Sequence, residues 1–238
     1  MANGRNASQF EGVLELLSVL KPFKNVNIIK KSKMLDFTKD YILENDRVRL
    51  SPLQSSDLAN LVHFAITEPE LWTYSLIQAN SAERMKIYID KAIDGRKNKH
   101  SYAFTVFDKQ SNQYAGSTRF YDINIENAAL QLGFTWYGKD FQGTGLNKNC
   151  KYLLLEFAFE VLNMERVEFR ADNENQKSIY AMKSIGCKVE GVLRSNSYRP
   201  NGERRDSIVL SILKDEWMKT VKERLLKTQG FRSKGLEI

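Results

Sequence analysis

The hydrophobic positions of the chain repeat with two periods, and the dominant period changes near residue 100. Before that point, apolar residues recur at helical spacing from Gln9 to Leu20, from the turn after Pro52 to Ile66, and from Ser81 to Gly95. Only the stretch from Tyr41 to Leu50 has the character of a strand. The first hundred residues are therefore predicted to be mainly helical, with one strand.

Beyond residue 100 the pattern first alternates with period two and then mixes both periods. It predicts three consecutive strands and then the order helix, strand, helix, strand, strand, helix. The predicted strands are Tyr102 to Phe107, Gln113 to Tyr121, Ala129 to Tyr137, Val167 to Ala171, Lys188 to Arg194 and Arg204 to Leu213. The predicted helices are Asn147 to Leu162, Gln176 to Ile185 and Lys214 to Lys227. Short polar joints between the first three strands predict two hairpins. The fold class is therefore predicted to be α/β.

Length and composition favour one domain with extensions. The 238 residues are 42% hydrophobic, which is enough for one full-sized core. We expect an N-terminal extension of a helix and a basic linker over residues 1–36, the main domain over 37–217, and a basic C-terminal tail over 218–238. Glu11 and Glu15 interrupt any signal-peptide core, and the longest apolar run is far shorter than a bilayer span. These features predict a soluble, cytoplasmic protein.

The charged and metal-binding residue types narrow the classes of ligand. The chain has two cysteines and two histidines, with no metal-ligand spacing, so no metal is expected. The net charge of +7 favours anionic partners such as a phosphorylated cofactor, nucleic acid or a membrane surface. Nucleic acid is disfavoured because no helix-turn-helix, zinc or aromatic RNA-binding pattern is present. The amphipathic segments at either end fit a core edge or a homodimer contact.

A glycine-containing segment between a predicted strand and a predicted helix is the sharpest motif. It reads Gln142, Gly143, Thr144, Gly145, Leu146, Asn147 and Lys148. Glycines let successive amides turn towards one point, and the following helix adds the positive end of its dipole, so a pyrophosphate fits there. Lys148 and Lys151 are expected to reinforce this site. The spacing matches neither a Walker loop nor a dinucleotide fingerprint.

This loop resembles the Q/R-x-x-G-x-G/A motif of the GNAT acetyltransferases, with Asn147 departing at the last position. Five further blocks in the same order are similar to the ribosomal-protein N-terminal acetyltransferase branch (RimJ/RimL-like): GSTRF at 116–120, LGFTWY at 132–137, NQKS at 175–178, IGCKVEGVLR at 185–194 and KDEW at 214–217. The resemblance covers about residues 41–217. It implies a mixed, mostly antiparallel sheet in which the family's fourth and fifth strands splay apart, flanked by helices.

The resemblance also implies how the cosubstrate acetyl-CoA binds. The backbone of Phe134, Thr135, Trp136 and Tyr137 would face the thioester and the pantetheine arm. The glycine loop from Gln142 to Lys148 would hold the phosphates. Asn175 would form a hydrogen bond with the pantetheine arm. Asn175 is equally interpretable as a helix N-cap. The tyrosine that many members use to protonate the thiolate is replaced by Met182, so the donor is expected to be Ser178, on the same helix face.

The acceptor side departs from the family as well. Gln131 stands where the branch often has a glutamate base, and glutamine cannot accept a proton at neutral pH. Waters are the favoured route for deprotonating the acceptor, because only a small neutral fraction of the amine is needed, and one of Asp122, Glu126 and Asp172 is the alternative base. The candidates for acceptor contact are Trp72, Tyr74 and Arg119.

Two functions are compatible with these departures. The first is an N-acetyltransferase acting on a primary amine, such as a protein N-terminus, an aminoglycoside-like compound, a polyamine or an amino acid. The second is a catalytically weak CoA-binding module that docks on RNA, ribosome or protein.

Overall fold

The computed structural model of the chain describes residues 35–229, so the predicted helix from Gln9 to Leu20 lies outside the described residues. The helices in this part are α1 (Leu58–Thr67), α2 (Ala82–Lys97), α3 (Leu146–Glu156), α4 (Gln176–Ser184), α5 (Lys214–Glu216) and α6 (Lys222–Gln229). The strands are β1 (Leu43–Glu44), β2 (Val48–Pro52), β3 (Ser101–Asp108), β4 (Gln113–Asn124), β5 (Ala129–Tyr137), β6 (Arg166–Asp172), β7 (Lys188–Tyr198) and β8 (Arg204–Leu213).

The helix boundaries follow from local capping and packing. Ser81 accepts a hydrogen bond from the Arg84 amide and caps α2, which runs past the predicted stop at Gly95. The predicted single strand from Tyr41 to Leu50 is instead the hairpin of β1 and β2. Helix α3 continues as a π-helical segment, Phe157–Val161, and a second such segment, Trp217–Val221, links α5 to α6. The other predicted elements are found within a few residues of their expected bounds.

The eight strands form one sheet in the order β1-β2-β3-β4-β5-β6-β8-β7. All neighbouring pairs are antiparallel except β5 and β6, which are parallel. This is the mixed, mostly antiparallel sheet that the family resemblance implies. The predicted hairpins are also present, since β3 pairs with β4 and β4 pairs with β5 along the sheet.

Helices cover both faces of the sheet. Helices α1 and α2 bring Phe64 and Tyr88 against Trp136 of β5 on one face. On the other face Phe157, at the end of α3, packs against Phe120 of β4. Val221 and Leu225 are buried, so the described part of the predicted basic tail contributes to the core. The core therefore lies on both sides of β4 and β5, which carry most of the candidate site.

Candidate active site

The central feature of the site is a gap that opens between the two parallel strands. Strands β5 and β6 pair only at Ala129 with Arg166, Leu130 with Val167, and Gln131 with Glu168. Strand β5 then continues to Tyr137 beside β4, while β6 continues beside β8. The backbone of β5 that faces the gap has no strand partner there, so an extended ligand can add to it as a strand would.

A bulge lies on β5 just beyond the last pair with β6. Arg119 of β4 is opposite Gly133, and Ser117 is opposite Trp136, so two residues of β5 face one residue of β4. Phe134 in this bulge has a φ of 50°, in the left-handed region. The Tyr88 hydroxyl donates to the Phe134 carbonyl at 3.3 Å, which holds the bulge from the side of α2.

The glycine loop lies at the end of β5 and opens into α3. Gly143 and Gly145 have φ values of 77° and 88°, which glycine adopts without strain. A side-chain atom added at either glycine would meet nothing within 4 Å, so the loop borders open space. Helix α3 begins at Leu146, and its N-cap Gly145 supplies no side-chain cap. The Leu146 amide has only a long contact of 3.4 Å to the Thr144 hydroxyl, so the start of the helix can still donate to an anion.

Polar side chains fix the loop between the sheet and α4. The side-chain nitrogen of Gln142 donates to the Tyr137 carbonyl at 2.7 Å, and its side-chain oxygen accepts a hydrogen bond from Lys177 of α4. Thr144 donates to the Phe141 carbonyl at 2.8 Å. Arg47 reaches Thr144 at 3.4 Å. Lys177 therefore adds positive charge beside the loop, whereas the Arg47 guanidinium is already paired with Asp108 at 3.0 Å. Sequence reasoning missed both residues because they come from distant elements.

Helix α4 lies near the loop and carries two of the predicted residues. The Asn175 side chain accepts from the Ser178 amide at 3.0 Å, so Asn175 is the N-cap. The Ser178 hydroxyl makes no hydrogen bond within the described residues and remains available as a donor. Met182 is buried and cannot donate a proton.

A row of polar side chains crosses the sheet at the point where the gap begins. Tyr121, Gln131 and Glu168 are paired in register on β4, β5 and β6, so their side chains share one face. Gln131 is buried, and its side-chain oxygen has no hydrogen-bond partner among the described residues. Burial, followed by the charge of Asp122, raises the pKa of Tyr121 to about 12. This row is the candidate acceptor side of the site.

Glu168 is the carboxylate beside Gln131, and sequence reasoning missed it. Arg166 and Arg170 each contact it at 2.7 Å. The alternation of Arg166, Glu168 and Arg170 along β6 would have placed all three on one face, but the register that puts Glu168 next to Gln131 is a tertiary property.

The three carboxylates considered from the sequence differ in their surroundings. Asp172 is buried; burial favours its neutral form, but hydrogen bonds from Arg199 at 2.9 and 3.1 Å hold the pKa of Asp172 below its ordinary value. A carboxylate with that partner is a weak base. Asp122 and Glu126 are exposed at the hairpin between β4 and β5.

The predicted acceptor contacts have different positions. Trp72 is in the core, packed against Trp136 with ring centres 5.0 Å apart, whereas Tyr74 is exposed. Arg119 is buried between the rings of Tyr88 and Phe134, with its guanidinium carbon 5.3 and 4.5 Å from their centres. Two of its nitrogens have no hydrogen-bond partner in the described residues. Arg119 is thus a buried cation next to the bulge.

Lys151 does not lie beside the glycine loop, where the sequence interpretation placed it. It lies in the second turn of α3 and is buried, with its amine 2.8 Å from the Thr135 hydroxyl. The positive side chains near the glycine loop are therefore Lys148 and Lys177, together with Arg47, which is paired with Asp108.

Residues 35–229 contain neither a metal-ligand cluster nor a membrane-spanning helix. Among residues 35–229, no group of three or more His, Cys, Asp and Glu side chains is arranged to hold a metal ion. No helix in the same part of the chain is long and apolar enough to cross a membrane. Surface grooves of about 440 and 510 Å³ lie elsewhere, around Ile93 and around His63, and do not include the residues of the gap.

A family model described as an acetyltransferase (GNAT) domain matches residues 47–188, which include the gap, the glycine loop and α4. The chain belongs to the GNAT acetyltransferase family. It is similar to the spermidine N(1)-acetyltransferase of Escherichia coli K12, with 27% identity over 185 residues, covering 76% of this chain and 95% of that protein.

Solved structures of the family have the same fold. A GCN5-related N-acetyltransferase from Brucella melitensis superposes with a TM-score of 0.73 at 25% identity, covering 79% of this chain and 85% of that one. Mycobacterium smegmatis RimJ in complex with CoA-disulfide gives a TM-score of 0.67 at 15% identity, covering 80% and 94%, and therefore shows the shared fold alone. GNAT acetyltransferases use acetyl-CoA, and the open glycine loop with its uncapped helix fits that molecule's phosphates.

Proposed function

We propose that this chain transfers an acetyl group from acetyl-CoA to a primary amine, by direct attack of the amine on the thioester. The observation that carries the proposal is the gap between β5 and β6, which ends at the glycine loop. The pantetheine arm would lie in the gap beside Phe134 to Tyr137, and the phosphates would lie at Gln142 to Lys148. The six sequence blocks favour the RimJ/RimL-like branch.

Direct attack is favoured over an acyl-enzyme because the chain offers no activated thiol. Burial raises the pKa of Cys150 and of Cys187 to about 12, so neither is a thiolate at neutral pH. A ternary complex in which the amine meets the thioester directly is the remaining route that these residues support.

The charges on the acceptor side of the site favour a peptide N-terminus, and not a polyamine, as the acceptor substrate. Arg119 is buried without a carboxylate partner within ion-pair distance in the described residues, and Glu168 is already paired with two arginines. A polycation such as spermidine would be repelled by this surplus of positive charge, whereas a peptide with acidic residues after its free amine would be attracted. The spermidine activity named for the Escherichia coli relative is therefore not proposed for this chain.

A screen of acceptors tests the proposal. CoA thiol release would be measured with a peptide bearing an acidic second residue, with spermidine, with an aminoglycoside and with a free amino acid. We expect kcat/KM for the peptide to exceed that for spermidine by roughly tenfold or more. In the Arg119→Met variant the ratio of these two kcat/KM values should be smaller. A preference for spermidine would overturn the assignment of the acceptor. CoA binding with no thiol release for any amine would support the binding-module alternative.

A further inference from the structure

Lys151 lies at the wall of the gap between β5 and β6. Its amine donates to the Thr135 hydroxyl at 2.8 Å and reaches the Thr118 hydroxyl at 3.5 Å. On the opposite arm of the gap, the Phe169 ring centre is 5.8 Å from the same nitrogen. Thr135 and Phe169 both come after the last pair between the strands, at Gln131 and Glu168. The amine therefore lies where the two strands have separated.

No negative charge in the described residues compensates Lys151. The residue is 5% exposed, and no carboxylate in that part of the chain is within ion-pair distance of its amine. An ammonium group has three donors, and the two threonine hydroxyls account for two of them. A buried charge without a counter-charge is costly, so its retention indicates a ligand that supplies the missing negative charge.

The titratable groups that act on Lys151 are the thiols of Cys150 and Cys187. Both are neutral at physiological pH because burial raises the pKa of each to about 12. Burial also lowers the pKa of Lys151 to about 8. The amine is thus still mostly protonated at pH 7, yet it can give up its proton more easily than an exposed lysine can.

We propose that Lys151 supplies the positive charge and the proton for the thiolate that leaves acetyl-CoA. This inference rests on the proposed function, because it requires the thioester end of acetyl-CoA to lie in the gap. Lys151 would then be the proton donor in place of the family's tyrosine, whose position is occupied by Met182 in this chain. Ser178 then donates a hydrogen bond to the sulfur, while the charge comes from Lys151.

The step balances as follows in atoms and charge. The acceptor nitrogen forms a bond to the acetyl carbon, the carbon–sulfur bond breaks, and its electron pair goes to sulfur. The Lys151 ammonium transfers one proton to sulfur and becomes a neutral amine, while the new amide nitrogen releases one proton to water. Lys151 then regains a proton from water. A lysine with a pKa near that of a thiol is well matched to this exchange.

The decisive measurement is the thiol pKa of bound CoA, followed through the ultraviolet absorbance of the thiolate during a pH titration. In the wild-type complex we expect this pKa to lie roughly one to three pH units below that of free CoA, because an ammonium group lies nearby. In Lys151→Met and Lys151→Gln complexes it should return to the free value. Lys91→Met, which removes an exposed lysine of α2, should leave the lowered value intact.

Turnover provides a second readout. Lys151→Met should lower kcat roughly 100-fold and remove the fall in rate at high pH, with CoA affinity changed only a few-fold. The Lys151→Gln variant keeps a side chain that can form hydrogen bonds to the threonines. A loss of turnover in this variant would therefore show that the positive charge is required. A CoA thiol pKa that is the same in the wild-type and Lys151→Met complexes would overturn the inference. Failure of the wild-type protein to bind CoA would instead overturn the proposed function.

Discussion

Individual side chains in this protein have roles that depend on their partners more than on their type. Lys151 and Lys148 are three residues apart on α3, yet the Lys151 amine is buried beside Thr135 of the bulge, while Lys148 lies in the first turn of the helix, next to the glycine loop. Ser178 and Ser184 lie on the same helix, but only the Ser184 hydroxyl donates to a preceding carbonyl, that of Ala181. Such differences make matched pairs of variants informative.

Replacing Ser178 with alanine should lower kcat roughly ten- to a thousandfold while CoA affinity stays within a few-fold, because its hydroxyl would act mainly on the transition state. Steady-state kinetics and calorimetric CoA titration would measure the two effects. Ser184→Ala is the matched control and should leave both values near those of the wild type. Parallel losses of CoA affinity and stability in Ser178→Ala would identify a structural role.

Gln131→Glu should raise the rate near neutral pH by roughly tenfold or more, because a positioned base commonly contributes about a hundredfold. Glu168 is its direct neighbour on β6 and, as a like charge, would raise the pKa of the new carboxyl group and strengthen it as a base. The pH dependence of kcat/KM would measure this change. Gln113→Glu, at an exposed position on β4, is the control.

A slower Gln131→Glu enzyme, together with an acidic limb in the wild-type profile, would contradict the role of waters as the base. The base would then be a carboxylate that is already present. Glu168, Asp122, Glu126 and Asp172 would be neutralised one at a time to find it.

At the scale of helices, strands and loops, a segment could be predicted from the sequence when residues within that segment set its geometry. The glycine loop was found from sequence because its two glycines are needed for positive φ, and the adjoining helix was found from its apolar spacing. The division of one predicted strand into β1 and β2 has a local cause that the prediction overlooked, because the Asn45 side chain accepts hydrogen bonds from the Arg47 and Val48 amides in the turn. The π-helical turns after α3 and α5 interrupt otherwise regular helical spacing, and the sequence prediction did not include them.

Gly145→Ala and Gly202→Ala form a matched test of the glycine loop. Both glycines have a φ of 88° and open space around them, but Gly202 lies in the turn between β7 and β8. Each change should cost roughly 1 to 2 kcal/mol in the free energy of unfolding, the cost of a left-handed residue with a side chain. Urea denaturation would measure it.

Only Gly145→Ala should also weaken acetyl-CoA binding, by roughly tenfold or more, since its methyl group enters the space proposed for the phosphates. Calorimetric titration of both variants would measure the dissociation constants. Unchanged acetyl-CoA affinity in Gly145→Ala would remove the assignment of this loop to the phosphates.

At the scale of the whole molecule, binding of acetyl-CoA should stabilise the fold. A ligand that binds only the folded state adds about 2.7 kcal/mol at a concentration 100 times its dissociation constant. For a chain of this size we expect a rise in Tm of several degrees. Thermal denaturation with acetyl-CoA, ATP and NAD measures this, and the latter two should give much smaller shifts. Equal shifts for all three would show only a general affinity for nucleotides.

The sequence by itself determined the α/β class, the order of the elements, the glycine loop and the family. These features depend on periodicity, turn residues and motifs that lie close together along the chain. The roles of residues 1–36 and the homodimer contact remain predictions.

Only the tertiary structure decided which side chains meet around the gap. Glu168 is beside Gln131 because two strands pair in parallel for three residues and then separate. Lys151 is buried beside Thr135 because its side chain reaches from α3 to the bulge of β5. Residues far apart along the chain come together through strand register and helix packing, and these depend on the summed burial of the core. The glycine loop was therefore visible in the sequence, whereas the charges surrounding the proposed chemistry were not.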